Sequence, residues 1–162
     1  MIVPVKDKHM IEVVADLAAE IWPEHYTPII GSEQVEYMLD IFQSCHAISK
    51  QIDGNCLYYL IEEGDQYAGY FSVEPKENLL FLSKLYVRSS QRGKGIGKGA
   101  LDFIEEVATK KGLKKISLTV NKNNRVTIDI YCRLGFVNKG SIVTDIGNGF
   151  VMDDYLLEKV LP

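Results

Sequence analysis

The stretch from Leu79 to Lys98 decides how this chain is read. It runs Leu79-Leu80-Phe81-Leu82-Ser83-Lys84-Leu85-Tyr86-Val87, then Arg88-Ser89-Ser90-Gln91, then Arg92-Gly93-Lys94-Gly95-Ile96-Gly97-Lys98. The first nine residues are mostly apolar and bounded by turn formers, which predicts a strand. From Gly95 to Lys111 the residues Ile96, Leu101, Ile104, Val107 and Ala108 recur at mostly helical spacing, and Gly112 stops that helix. A glycine-rich loop therefore joins a strand to a helix. Glycines at 93, 95, 97 and 99 let the backbone approach a ligand closely, because no Cβ stands in the way. The first amides of a helix lack carbonyl partners, and the helix dipole draws an anion to them. Arg92, Lys94 and Lys98 add positive charge. A diphosphate is the guest this arrangement predicts.

Two common diphosphate loops do not fit. A P-loop needs Gly-x-x-x-x-Gly-Lys-Ser/Thr. Here Lys98 is followed by Gly99, and Arg92 stands where the first glycine of that pattern belongs. The dinucleotide fingerprint Gly-x-Gly-x-x-Ala matches Gly95, Gly97 and Ala100, but its turn should follow the strand at once. Seven residues separate Val87 from Gly95. The acid expected about 20 residues further on is also absent, since the next strand ends Val120-Asn121-Lys122.

Outward from this core, Cys56–Glu62 and Gln66–Val73 read as a hairpin around Glu63-Gly64-Asp65, and Pro75–Asn78 turns the chain into the strand Leu79–Val87. Further back, Ser32 caps a helix carrying Val35, Met38, Leu39 and Phe42, and residues 44–53 add more helical turns. Asp7 caps a first helix with Ile11, Val14, Leu17, Ala18 and Ile21 on one face. That helix is expected to stop near Pro23, leaving Pro23–Gly31 irregular. Ile2–Val5 reads as an edge strand. Beyond the loop come a strand at Lys115–Val120, a short helix at Asn124–Leu134 ended by Gly135, and strands Val137–Asp145 and Phe150–Val160 around Ile146-Gly147-Asn148-Gly149. This order predicts a single α/β (α+β) domain over 1–162: a mixed, mostly antiparallel sheet of about seven strands with helices on both faces.

The loop resembles the Arg/Gln-x-x-Gly-x-Gly/Ala pyrophosphate loop of the GNAT superfamily, the acetyl-CoA-dependent N-acetyltransferases, with Arg92, Gly95 and Gly97 in its fixed places. Asn124-x-x-Thr127-x-x-x-Tyr131-x-x-x-Gly135-Phe136 is similar to that family's second motif, with Thr127 in place of the usual alanine. The two motifs occur in order within residues 79–136. The resemblance implies a sheet splayed between the two central parallel strands, Leu79–Val87 and Lys115–Val120. It implies that the pantetheine arm of acetyl-CoA pairs with the backbone of Leu85, Tyr86 and Val87, as an added strand would. Arg92, Gly93, Lys94, Gly95, Ile96, Gly97 and Lys98 would hold the pyrophosphate. Asn124, otherwise a plain helix cap, would contact the cofactor arm. Tyr131 would protonate the departing thiolate, since a phenol with a pKa of about 10 is protonated at neutral pH without tuning. An N–H near Val87 would polarise the thioester carbonyl. The implied reaction is direct acetyl transfer from acetyl-CoA to a primary amine of a small molecule or peptide, with no metal. A non-catalytic acyl-CoA-binding or sensing module on the same fold is the alternative.

Direct transfer needs a proton acceptor. Many relatives place an acid on the first central strand, but Phe81-Leu82-Ser83-Lys84 carries none. Glu24, in Trp22-Pro23-Glu24-His25-Tyr26, is the best substitute as base or cation anchor, with His25, Glu74 and Asp145 behind it. Tyr26, Tyr37, Tyr58, Tyr59 and Tyr70 read as packing residues. Cys132 lies about 100° around the helix from Tyr131, with no histidine near it in sequence to lower its pKa, and reads as buried and inert.

Charge narrows the ligand. Lys84 to Lys115 holds nine basic and three acidic residues, a net +6, leaving −10 for the rest of a chain whose net charge is −4. A local basic island in an acidic protein suits a small polyanion more than a long one. Lys110, Lys111, Lys114 and Lys115 read as a solvated helix end. The island lacks interleaved aromatics, which argues against stacking on nucleic acid. The acidic remainder favours a cationic amine such as a polyamine, a lysine side chain or a peptide N-terminus. Three widely spaced cysteines, the absence of an apolar signal core in Met1–Asp7, and the lack of any apolar run of about 18 residues predict a cytoplasmic protein off the membrane. The long last strand, Phe150–Val160, makes pairing with a second copy a candidate route to a homodimer.

Overall fold

The computed structural model describes residues 1–162, the Lys84 side chain excepted. The chain runs β1 (Ile2–Pro4), α1 (Lys8–Ile30), α2 (Ser32–Gln43), α3 (Cys45–Asp53), β2 (Leu57–Glu63), β3 (Gln66–Pro75), β4 (Leu79–Val87), α4 (Ile96–Lys110), β5 (Lys115–Asn121), α5 (Arg125–Arg133), β6 (Val137–Gly147) and β7 (Phe150–Val160), with one 3-10 turn at Ser89–Gln91. One seven-stranded sheet has the order β1-β2-β3-β4-β5-β7-β6. Every neighbouring pair is antiparallel except β4 and β5. On one face α4 buries Ala100, Leu101, Ile104 and Ala108 against Phe71, Leu80, Leu82 and Ile116. On the other, Val14, Ile21, Trp22, Val35 and Ile48 pack on Tyr58, Leu60 and Tyr70. The sheet is thus covered on both sides, as the element order predicts. Among the described residues no helix is long and apolar enough to cross a membrane.

Two expectations are corrected. The first helix does not stop at Pro23 but continues to Ile30 with Pro23 and Pro28 inside it. An interior proline costs about 3 kcal/mol. Tertiary anchors on either side offset it: Trp22 Nε1 donates to the Tyr70 hydroxyl at 2.9 Å, and the Tyr26 and Tyr86 hydroxyls bond at 2.5 Å. Trp22 is buried and Tyr26 and Ile30 pack on the same core, each contributing on the order of 2 kcal/mol. Gly31, at φ +84°, then ends the helix and donates its N–H to Thr27 O at 3.0 Å. The second correction concerns the last strand. β7 is paired to β5 over Asp154–Val160 and to β6 over Phe150–Glu158, so it lies inside the sheet and not at its edge. The exposed edge at that end belongs to β6.

One irregularity in β4 shapes the centre of the sheet. Tyr70 pairs with Tyr86, Phe71 with Leu85 and Ser72 with Lys84, but Val73 pairs with Leu82. Ser83 is therefore an extra residue in β4, a β-bulge. A bulge bends its strand and moves the side chains beyond it to the opposite face. Leu80 and Leu82 face α4, and beyond the bulge it is Leu85 that continues that face, whereas Tyr86 joins the α1 side. The parallel pairing of β4 to β5 covers only Leu79–Lys115, Leu80–Ile116 and Phe81–Ser117. It ends just before the bulge, and from there the two strands diverge.

The other edge of β4 is held tightly. A Cβ at Gly69 would lie 2.1 Å from the Tyr86 carbonyl oxygen, a backbone atom that cannot swing aside. Gly69→Ala should destabilise the fold by about 3 kcal/mol, read as a lowered urea midpoint at unchanged slope.

Candidate active site

The helix α4 begins at a cradle. Gly95 sits in the left-handed region (φ 78°, ψ 11°), where a side chain would be strained, and turns the loop into the helix. The first helical bond runs from Gly99 N–H to Gly95 O at 3.0 Å, so the amides of Ile96, Gly97 and Lys98 precede the ladder. A Cβ built on Gly97 meets nothing within 4 Å, so the cradle opens on space. Arg92, held by a bond from Nε to Val87 O at 3.2 Å, lines the cavity at the cradle, whereas Lys94 donates from Nζ to Gln91 Oε1 at 2.9 Å and does not line it. Lys98 is exposed and ion-pairs Asp102 one turn on at 3.6 Å.

The gap between β4 and β5 leads away from this cradle. Arg88 N–H bonds Ala68 O at 2.7 Å, so by ladder alternation the polar groups of Leu85 and Val87 point away from β3 and into the gap. Tyr86 pairs toward β3, so of the three backbone contacts expected at 85–87 only those of Leu85 and Val87 face the opening. A cavity of about 490 Å³ connects Leu85 and Val87 with Arg92, Gly93, Gly95, Ile96, Gly97 and Lys98, and ends on Tyr131 of α5. These side chains and amides fit an extended chain ending in a diphosphate.

A second cavity, about 890 Å³, lies between the α1–α2 pair and the face of β5, β7 and β6. Leu85, Val87, Arg92, Thr127, Ile130 and Tyr131 line both, so the two spaces adjoin along these residues and share Tyr131. Burial, with Tyr26 nearby, pushes the Tyr131 hydroxyl well above its ordinary pKa of 10.0. The phenol is held protonated. Tyr131 packs edge-on against Phe136 at 5.3 Å, and among the described residues its hydroxyl bonds no protein group.

Asn124 caps α5, its Oδ1 accepting from Thr127 N–H at 3.4 Å. The Asn124 amide and His25 Nε2 lie 2.9 Å apart, a hydrogen bond whose direction follows the imidazole tautomer. Burial chiefly, and the Arg92 charge after it, lower the His25 pKa from 6.5. Asn124 lines the larger cavity and not the smaller one.

The carboxylates differ from the sequence reading. Glu24 is exposed on α1 and lines neither cavity; its neighbour His25 does. A helix running through Pro23 turns successive residues about 100° apart, which sends Glu24 outward. Glu74 pairs with Lys76 at 3.8 Å, and Asp145 accepts from Gly147 N–H in the β6–β7 turn at 2.8 Å; neither lines a cavity. Asp154 of β7 does. It is 5% exposed, faces the larger cavity, and sits opposite Asn121 at the splayed end of β5. Burial first, then Asp153, push its pKa from 3.8 to about 6, against a smaller pull from Lys122. Its sequence signal is a second acid within an otherwise apolar strand, Val151-Met152-Asp153-Asp154-Tyr155-Leu156. Tyr26 and Tyr86 also line this cavity, whereas Tyr37, Tyr58, Tyr59 and Tyr70 do not. Cys132 is exposed rather than buried.

A carboxylate kept there works against folding once ionised. Holding its proton to about pH 6 rather than 3.8 corresponds to about 3 kcal/mol lost above pH 6. Asp154→Asn should therefore raise stability by up to about 3 kcal/mol at pH 7.5. The gain should shrink as pH falls from 6 toward 4, where the native carboxyl is already protonated. Urea midpoints at the two ends of that range check it.

Residues 14–136, which contain the cradle, the split and Tyr131, match the acetyltransferase (GNAT) family. This chain belongs to the GNAT family of acetyltransferases. Among curated relatives of this GNAT protein, the spermidine N(1)-acetyltransferase of Thermoplasma acidophilum is 24% identical over 148 residues, covering 88% of this chain and 89% of that one. The thialysine N-epsilon-acetyltransferase of Bos taurus is 36% identical over 67 residues, 41% of this chain and 39% of that enzyme. The chain thus matches only about two fifths of the bovine enzyme's length. Among solved structures, the PaiA N-acetyltransferase from Thermoplasma acidophilum in complex with coenzyme A superposes with a TM-score of 0.80 at 22% identity, over 99% of each chain. A GCN5-related N-acetyltransferase from Rhodopseudomonas palustris gives 0.83 at 18%, over 99% and 95%. At these identities the structural likeness establishes the shared fold.

Proposed function

We propose that this GNAT protein moves an acetyl group from acetyl-CoA directly to a primary amine. The observation that carries the reading is a pair of adjoining cavities that share one protonated phenol: a channel with a diphosphate cradle, and a separate chamber floored by the sheet. Bound acetyl-CoA would supply a thioester, an acyl group already activated toward an amine. The amides of Ile96, Gly97 and Lys98, with Arg92, receive the diphosphate; Leu85 and Val87 offer backbone groups to the pantetheine arm. The Val87 N–H is placed to stabilise negative charge on the carbonyl oxygen. Tyr131 gives its proton to the leaving sulfur. The desolvation that keeps the phenol protonated also raises the basicity of a thiolate in the same place.

Thiol release from acetyl-CoA in the presence of primary amines, followed by a 5,5′-dithiobis-type reagent, tests this. Amine-dependent release supports the reading. Saturable coenzyme binding with no release from any amine would instead mark a sensing module on this fold.

A further inference from the structure

The acceptor chamber is selective by charge as well as by shape. Among the described side chains, four formally charged ones line it: Lys76, Arg92, Asp154 and Glu158. Glu158 is taken by Lys115 at 3.5 Å and Lys76 pairs with Glu74 at 3.8 Å. Arg92 bonds Val87 O and faces the cradle. Lys122, the cation nearest Asp154 by its electrostatic effect, is 2.7 Å from Asp153 instead. Asp154 is the one lining carboxylate with no ion pair among the described residues. The α1–α2 wall is mainly apolar, with Ile30, Met38 and Phe42, while the strand floor around Asp154 carries the uncharged polar side chains of Thr119, Asn121 and Thr144.

We infer that the acceptor is a primary amine carrying a single positive charge on an aromatic or branched apolar body, with its ammonium seated against Asp154. This rests on the reading of the chain as an N-acetyltransferase and names the substrate class of that site. An unpaired buried carboxylate is unfavourable unless a guest completes it. One ammonium does so. The second and third ammonium groups of a polyamine would find no further unpaired carboxylate among the described lining residues, only apolar and uncharged polar walls and the Arg92 charge. Tyr26 and Tyr86, joined hydroxyl to hydroxyl, present rings to the same space and suit a cation's neighbourhood.

Asp154 also serves as proton acceptor. In an apolar chamber the neutral amine and carboxylic acid are penalised less than the ion pair. One proton passes from the ammonium nitrogen to an Asp154 Oδ. The freed lone pair forms the N–C bond to the acetyl carbon, and the C–S bond breaks with its electrons on sulfur. Sulfur takes the Tyr131 proton, and the nitrogen's second proton returns to the Tyr131 oxygen. Asp154 later releases its proton to water.

Among the described residues, Asp153, Lys122 and Tyr26 act on Asp154 electrostatically. The other titratable and charged groups of the same lining are His25 of α1, Lys76, Tyr86 and Arg92 around β4, Tyr131 of α5 and Glu158 of β7, while β6 adds Ile142 and Thr144, which do not titrate. Burial first, then the Arg92 charge, lower the His25 pKa, and the tyrosines stay protonated. Asp154 is thus the group whose ionisation switches the site on, and kcat/KM for the amine should rise with pH through about 6.

The test uses the full chain, acetyl-CoA, and four acceptors: 2-phenylethylamine, isoamylamine, lysine and spermidine. The two apolar monoamines should exceed spermidine in kcat/KM by more than about tenfold. Asp154→Asn should lower kcat/KM for 2-phenylethylamine by about 100-fold and remove the acid limb of its pH profile, with acetyl-CoA affinity retained by calorimetry. Spermidine or lysine equal to or better than the monoamines would overturn the inference and leave the acetyltransferase reading standing, as would an unchanged pH profile in Asp154→Asn. Release from none of the four, with acetyl-CoA still bound, would overturn both.

Discussion

Tyr131→Phe should lower kcat by about 10²–10⁴ while leaving acetyl-CoA affinity close to wild type. The substitution removes one hydroxyl and keeps the ring, so the edge-on contact with Phe136 at 5.3 Å survives. Among the described residues that hydroxyl bonds no protein group, so the fold loses no hydrogen bond with it. Thermal stability should match wild type. The loss should fall on kcat, because a proton delivered to the leaving sulfur matters in the transition state and not in the bound ground state. Steady-state kinetics with the best amine checks it, and an unchanged kcat would remove Tyr131 from the chemistry.

Gly97→Asp should weaken coenzyme binding by about 10³-fold, while stabilising the isolated protein slightly. The two effects have opposite signs because they depend on different partners. Gly97 has an ordinary helical backbone and open space where a Cβ would go, so the aspartate folds without strain. At the second position of α4 its negative charge faces the positive end of the helix dipole, worth about 0.3–1 kcal/mol in favour of folding. The same carboxylate fills the cradle and repels a diphosphate at the amides of Ile96 and Lys98. Without hydrogen bonds from those two amides to phosphate, and with a like charge beside it, binding weakens by roughly 4 kcal/mol. Calorimetry with coenzyme A and a thermal melt measure both. A variant that bound normally would show that the diphosphate lies elsewhere.

Residue order alone makes the strand Leu79–Val87, the glycine turn and the helix behind it legible, because periodicity and glycine spacing are local rules and local rules dominate there. Three features are not legible in it, each because its cause is non-local. The passage of α1 through Pro23 depends on Tyr70 and Tyr86, 48 and 60 residues from the α1 residues they bond. The bulge at Ser83 cannot be read from the composition of the strand, yet it puts Tyr86 on the α1 face and leaves Leu85 on the α4 face, where it lines both cavities. Asp154 reads in sequence as one of two acids in a strand. Only the register of β7 between β5 and β6 separates it from Asp153, which is exposed and paired with Lys122. Glu24 misleads for the same reason as the helix end: a loop at Pro23 would fold it inward, and the continuous helix turns it out.

The central claim is that coenzyme A lies with its diphosphate on the start of α4 and its arm along the free edge of β4. Amide chemical shifts during a titration of the full chain with coenzyme A test it residue by residue. The account predicts saturating shifts largest at Leu85, Val87, Gly95, Ile96, Gly97 and Lys98. Shifts confined to the lysines at the far end of α4, Lys110, Lys111, Lys114 and Lys115, or no saturation at all, would contradict it.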